Sequence, residues 1–521
     1  MPNPWMLPEA DEAAVRRLAE LVALKIRAGD TLALHGDLGA GKTTFARALI
    51  RALVGDGNEE VPSPTFALVQ TYDAPRLDIA HIDLYRLADE GEAMELGITD
   101  LAMRGAVVIE WPERAPSLSG PDRLDISLTE SDGADRRDVT IAAHGSWEAR
   151  LDRLREIADF LAQAGVANDA PVAYLQGDAS ARAYARTVRD GVPVILMDWP
   201  PQPDGPPIKD GLPYSRIAHL AEGTAAFQSV GKLLSSAGLV APHTYAADHA
   251  RGLMLIGDLG DRVFGVEVDK GTDQETMWAA ATETLVQMRA LDANRVRDWN
   301  AGEGRAAPVR DYDRGAYEIE TTLVPDWYWP LVKGSTIPPE ARAAFEAAWA
   351  PVLDRIVRDA GRTITLRDYH SPNLLFMPER GGAAHNQVGI IDYQDALIGH
   401  PAFDLVSLLQ DARLDVPAAT EDRLYARYVT AVRAREVGFD EAAFRFAYAA
   451  LGAQRNTKIL GIFARLWKRD GKPNYLRHIP RIWRYLERDL AHPGLGDVAR
   501  WYDAHFPRAV RETGPQARSA D

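Results

Sequence analysis

The stretch Thr31-Leu-Ala-Leu-His35-Gly36-Asp-Leu-Gly39-Ala-Gly41-Lys42-Thr43-Thr44 decides the reading of the N-terminal part of this 521-residue chain. Its first five residues read as a buried strand, the glycines as a tight turn, and residues 44–54 as a helix. The turn matches G-x-x-x-x-G-K-[ST] between strand and helix, the order that phosphate binding requires. Gly36, Gly39 and Gly41 let backbone N–H groups wrap a phosphate chain, and Thr44 continues the helix start that faces it. Lys42 reaches the β/γ oxygens and Thr43 offers its hydroxyl to Mg²⁺.

Upstream, Ala14, Leu18, Leu21, Val22 and Ile26 recur at helical spacing, giving an opening helix over 10–26. Downstream, short apolar runs at 66–72, 77–83, 106–111, 124–128 and 139–142 read as strands, which beside a P-loop helix predict an α/β sheet. Two acids close such runs. Asp83 suits a Mg²⁺ ligand, directly or through water, and Glu110 suits a residue that positions or activates the attacking water. The aromatics Tyr85 and Trp111 fit core packing as well as they fit a site.

The chain turns polar over 131–137, and an amphipathic helix begins at Trp147, so a domain boundary is expected near Ser146. Strand-like runs follow at 172–176, 182–189 and 192–198, then a Pro-rich loop over 200–213. Beyond Glu275 helical periodicity dominates, interrupted by one strand pair around 363–375 and 387–391. A small β-rich lobe before a larger helical one predicts a bilobal kinase-like α+β domain. The expected organisation is 1–146, a P-loop NTPase domain, then 147–258 and 259–521, the two lobes.

The second site is Thr363-Ile-Thr-Leu-Arg367-Asp368-Tyr-His370-Ser-Pro-Asn373, followed by Gly389-Ile-Ile-Asp392-Tyr-Gln-Asp395. Phosphoryl transfer needs one Asp to accept the hydroxyl proton, then Asn and a later Asp for the metal. Asp368 is the expected base, with Asn373 and Asp392 as metal ligands. The turn Gly177-Asp-Ala-Ser180-Ala-Arg182 could cover nucleotide phosphates, and Asp258 ends a run expected to join the lobes near adenine. The late run Arg455, Lys458, Arg465, Lys468, Arg469 and Lys472 reads first as a solvated helix face, with anion binding as the alternative. His370 fits a substrate contact and a structural histidine equally.

The N-terminal residues resemble the TsaE family of tRNA threonylcarbamoyladenosine biosynthesis. The blocks are Val61-Pro-Ser-Pro-Thr65-Phe66, His81-Ile-Asp83-Leu-Tyr85-Arg86, Glu92-Ala-Met-Glu95-Leu-Gly97 and Ile109-Glu110-Trp111-Pro-Glu113-Arg114. That resemblance implies slow ATP hydrolysis in support of threonylcarbamoyl-transferase subunits, with tRNA engaged only indirectly. It also implies Thr43, Asp83 and Glu110 as metal- and water-handling residues and Thr65 as a nucleotide sensor.

From about residue 150 the chain resembles the aminoglycoside phosphotransferase family, most closely its AmgK-like amino-sugar kinases. The markers are Gly177-Asp-Ala-Ser180, Leu196-Met-Asp198-Trp-Pro-Pro, the Asp368 and Asp392 blocks, Pro401-Ala-Phe-Asp404, and Gln454-Arg-Asn-Thr-Lys458-Ile-Leu-Gly. The resemblance implies ATP- and Mg²⁺-dependent phosphorylation of the anomeric hydroxyl of N-acetylmuramate or N-acetylglucosamine, for cell-wall recycling. Two positions depart from the wider family: Leu366 stands where a His is usual, and 194–197 lacks the usual lysine. Arg182, Arg186 and Lys209 are the replacement cations considered. Alternatives are an aminoglycoside or choline-like alcohol as substrate, or one module acting as a regulatory or assembly element.

Composition bounds these readings. There is no cysteine, which excludes thiolate catalysis and cysteine metal sites. A net charge of −16 argues against broad electrostatic binding of nucleic acid. The N-terminal segment has no basic-then-apolar signal pattern and no window approaches a membrane span, so a cytoplasmic protein is expected.

Overall fold

The computed structural model describes residues 4–87, 90–131, 133, 135–175, 182–358 and 361–513. It divides into two compact units, Met1–Pro200 with Thr244–Asp258, and Pro201–His243 with Leu259–Asp521.

The first unit holds a mixed sheet of seven strands: β1 (Trp5–Ala10), β2 (Thr31–His35), β3 (Val69–Tyr72), β4 (Asp78–Asp83), β5 (Gly105–Glu110), β6 (Arg123–Glu130) and β7 (Arg137–His144). Their order is β1-β7-β6-β2-β5-β4-β3. β2 pairs in parallel with β5 and β6, and β4 in parallel with β5. Thr31 to Leu34 are all buried, as a central parallel strand covered on both faces demands. Helix α1 (Glu12–Ala23) is capped by the Asp11 side chain, which accepts the Ala14 N–H, and packs against α2 (Lys42–Val54). The sequence reading missed β1, an edge strand paired antiparallel with β7. Pro8 and its mostly unburied positions hide the alternation that marks a strand.

Five antiparallel strands form a second sheet, in the order Thr244–Asp248, Leu253–Gly257, β10 (Val192–Asp198), β9 (Ala183–Arg189) and β8 (Ala173–Leu175). The helix Trp147–Gln163 joins the two sheets. Its Trp147, Leu151, Leu154, Ile157 and Leu161 belong to one apolar cluster with Leu18 and Val22 of α1 and with Val194, Leu196, Leu253 and Leu255 of the second sheet. Buried polar ties accompany it. Arg150 grips Asp30 with bonds of 2.5 and 2.7 Å, and Asp198 accepts from both Lys25 and Arg153. Ser146, where the sequence suggests a boundary, lies inside this unit.

The second unit is mainly helical. The one strand pair expected from sequence is in fact two short ladders, Thr363–Thr365 with Leu397–Gly399 and Leu374–Phe376 with Val388–Ile390. Leu397–Gly399 is three residues long, too short to show a period in the sequence. The 28-residue helix Glu441–Lys468 runs through the core. From Phe446 to Ala464 all its residues are buried except Lys458 and Ile462. No helix among the described residues is long and apolar enough to cross a membrane.

Candidate functional site

The P-loop runs from the end of β2 into α2. Gly36, Gly39 and Gly41 all have positive φ, at 136°, 83° and 107°. A Cβ on Gly36 would stand 2.3 Å from the Leu128 carbonyl oxygen, so no other residue fits that turn. Gly41 caps α2, and Lys42, Thr43 and Thr44 are its first three residues, whose N–H groups point out of the helix end. The Lys42 ammonium donates to the carbonyls of Gly36 (2.7 Å) and Asp37 (2.9 Å) and lies 3.8 Å from the centre of the Trp111 ring. Burial lowers its pKa, against the pull of Glu110, Glu113, Asp83 and Asp37.

Asp83 and Glu110 are register partners at the ends of the parallel strands β4 and β5. Glu110 accepts the Thr43 hydroxyl on both oxygens, at 2.9 and 3.1 Å, and its Oε1 lies 2.9 Å from His81 Nε2. Asp83 accepts from Thr65 (2.8 Å), Ser63 (3.2 Å) and the Tyr85 N–H (3.0 Å). The arrangement suits a phosphate chain with a hard cation. Open glycine backbone and a helix start supply N–H donors, and a hydroxyl that donates to Glu110 keeps its oxygen lone pairs available.

In the second unit the loop from Leu366 to Asn373 carries Asp368. Asp404 anchors it from below: its two oxygens accept the N–H groups of Leu366 (2.7 Å) and Arg367 (2.9 Å). Arg367 has φ +73°, rare for a residue with a side chain, and its buried guanidinium bonds Glu320 and the Ala218 carbonyl (3.1 Å). Glu320 also accepts from Lys458 (2.7 Å), Gln454 (2.9 Å) and the Tyr312 hydroxyl. Burial alone would raise Glu320, but Lys458 and Arg367 hold it down at about 2. Burial likewise opposes ionisation of Asp368. Lys458, His370, Arg367 and Arg455 outweigh it and hold the carboxylate below its ordinary range. Asn373 donates to the Asp368 carbonyl (3.0 Å) and lies 3.5 Å from Asp392 Oδ2. The structure thus brings Asp368, Asn373 and Asp392 together.

The other expected residues distribute as follows. Asp258 follows the strand Leu253–Gly257 and accepts from Arg186 Nε at 2.6 Å. Arg182 lies 5.0 Å from the Trp199 ring, and Lys209 pairs with Glu318 at 2.9 Å in the second unit. Gly177 and Ser180 lie outside the described residues. The basic run needs correcting, because it divides. Arg455 is buried and bonds the Gln410 carbonyl (3.1 Å), and Lys458 serves Glu320, whereas Lys468 and Arg469 stay exposed and Lys472 is half-buried. His81 was missed. It is fully buried on the same face of β4 as Asp83, two residues away, and that spacing was the available signal.

Residues 9–139 match the family of the threonylcarbamoyl adenosine biosynthesis protein TsaE, and residues 171–446 match the phosphotransferase enzyme family. An N-acetylmuramate/N-acetylglucosamine kinase of Caulobacter vibrioides is 38% identical over 346 residues, 65% of this chain and 92% of that protein. The kinase of the same name from Pseudomonas aeruginosa is 30% identical over 329 residues, 62% of this chain and 84% of that one. A tRNA threonylcarbamoyladenosine biosynthesis protein TsaE of Rickettsia felis is 36% identical over 150 residues, 29% of this chain and 86% of its own. With a P-loop sheet at one site and a kinase-type catalytic loop at the other, the chain belongs to the phosphotransferase enzyme family as an ATP-dependent kinase, and it carries a TsaE-family ATPase domain in the same polypeptide.

Proposed function

We propose that this protein is bifunctional: a cytoplasmic anomeric kinase making N-acetylmuramate 1-phosphate and N-acetylglucosamine 1-phosphate, and a TsaE-type ATPase supporting threonylcarbamoyladenosine synthesis on tRNA. In the kinase reaction Asp368 takes the proton of the sugar hydroxyl as its oxygen attacks the γ-phosphorus and ADP leaves. Asn373 and Asp392 would hold Mg²⁺, which would supply charge neutralisation to the phosphates. At the P-loop, Thr43 and Asp83 would hold Mg²⁺, and Glu110 orients the water. Its partners are threonylcarbamoyl-transferase subunits, with tRNA reached only through them.

The observation that carries the kinase reading is the Caulobacter relative, matched across nearly its whole length. Lys458 and Arg455 beside Asp368 add support, because they disfavour a polycationic aminoglycoside. The test incubates the full chain with Mg·ATP and either sugar and follows phosphorus NMR, with Asp368→Asn alongside. An anomeric phosphate that the variant does not form is expected. No sugar phosphate from either substrate would sink the amino-sugar assignment.

A further inference from the structure

In the helix Glu441–Lys468, Lys458 and Ile462 are the unburied residues of the stretch 446–464, and Arg465, in the half-buried turn that follows, continues their face at the i, i+4, i+7 spacing. Lys458 ends at Glu320, beside the catalytic loop. Arg465 projects from the same face two turns further on, about 10 Å along the axis. Against Arg465 stands Tyr214, the first residue of the short helix Tyr214–Ile217. Its ring centre is 5.4 Å from the Arg465 guanidinium carbon, and its hydroxyl feels Glu320, Arg367, Arg465 and Asp368. Tyr214 thus lies against Arg465 and within the field of the charges around Asp368.

Lys458 and Arg465 differ in one respect. Lys458 has a counter-ion, Glu320. Arg465 has no ion pair among the described residues, and its buried Nε has no hydrogen-bond partner. The carboxylate whose field reaches it, Asp470, is bonded twice by Arg469, at 2.6 and 3.0 Å. A partly buried guanidinium without an anion is costly, and a planar fork of donors is suited to a carboxylate.

We propose that Arg465, flanked by Tyr214, is the carboxylate subsite of the kinase and selects sugars that carry an acidic substituent. This rests on the amino-sugar reading above. N-acetylmuramate differs from N-acetylglucosamine by a lactyl ether, so the subsite engages the first sugar's carboxylate and has no counterpart on the second.

The test measures kcat/KM for both sugars with the wild type, Arg465→Gln and Arg465→Lys in the full chain. In Arg465→Gln the preference should shift about ten- to a hundred-fold towards N-acetylglucosamine, through the KM for N-acetylmuramate. Arg465→Lys should restore part of it, since it keeps the charge but loses the fork. Turnover of N-acetylglucosamine reports that each variant is folded. Equal losses on both sugars, or a raised KM for ATP, would overturn the subsite and leave the kinase reading standing. A wild type that phosphorylates N-acetylglucosamine but not N-acetylmuramate would do the same. A wild type inert towards both would remove the reading and the subsite together.

Discussion

The P-loop cluster and the kinase-type loop both gather acids, and they are built in opposite ways. Asp83 and Glu110 sit at the ends of adjacent parallel strands, so strand register brings them together. Their direct partners are hydroxyls, a backbone N–H and a histidine, while Lys42 is turned onto loop carbonyls. Asp368 lies instead on a short loop, fixed by side chains from Glu320, Asp404 and Lys458, far away in sequence. The first site takes its geometry from the backbone. The second takes it from a buried network of charge, whose members support one another and are individually costly to disturb.

That contrast predicts independent failure. Glu110→Gln should cut sugar-free ATP hydrolysis by roughly 10²- to 10⁴-fold, the usual worth of a proton-handling group, and leave sugar phosphorylation intact. Asp368→Asn should do the reverse. Loss of both activities in either variant would mean that the sites are coupled. A smaller effect tests the joint core of the first unit. Arg150→Ala strands Asp30 in a buried position and should cost about 3–5 kcal/mol by urea unfolding. A change below about 1 kcal/mol would class the pair with exposed salt bridges.

The same contrast explains what the sequence could tell. A P-loop is contiguous, and Asp83 and Glu110 each end a visible apolar run, so the residues that gather at that loop were almost all legible. His81 escaped because its partner Glu110 is on a different strand. In the kinase domain the cluster of Asp368, Asn373 and Asp392 was legible, since their spacing is local. Their supports were not. Lys458 read as a surface charge because its counter-ion Glu320 is 138 residues away. Arg455 was misjudged for the same reason: periodicity in a helix buried on nearly every side distinguishes no outer face. The shared core across Ser146 was likewise hidden, because Trp147 and Leu151 look equally apolar whichever sheet they cover.

Asp404 offers the most delicate test of the charge network. Both its oxygens accept loop N–H groups, which favours the ionised form, yet burial dominates and pushes its pKa up to about 7. In the unfolded chain an aspartate titrates near 3.9. Between about pH 4 and 7 the folded protein therefore keeps a proton that the unfolded chain has released, and stability falls as pH rises. This contribution is complete below about pH 4 and gone above about pH 7. Asp404→Asn cannot ionise and should lack that fall. The stability of the wild type relative to the variant should decline by about 2–4 kcal/mol across the interval, measured by urea unfolding at several pH values. A difference that stays flat, or grows with pH, would show that the two N–H donors outweigh burial. In that case Asp404 would anchor the catalytic loop as a carboxylate throughout, and the loop would owe its position to charge already present at acid pH.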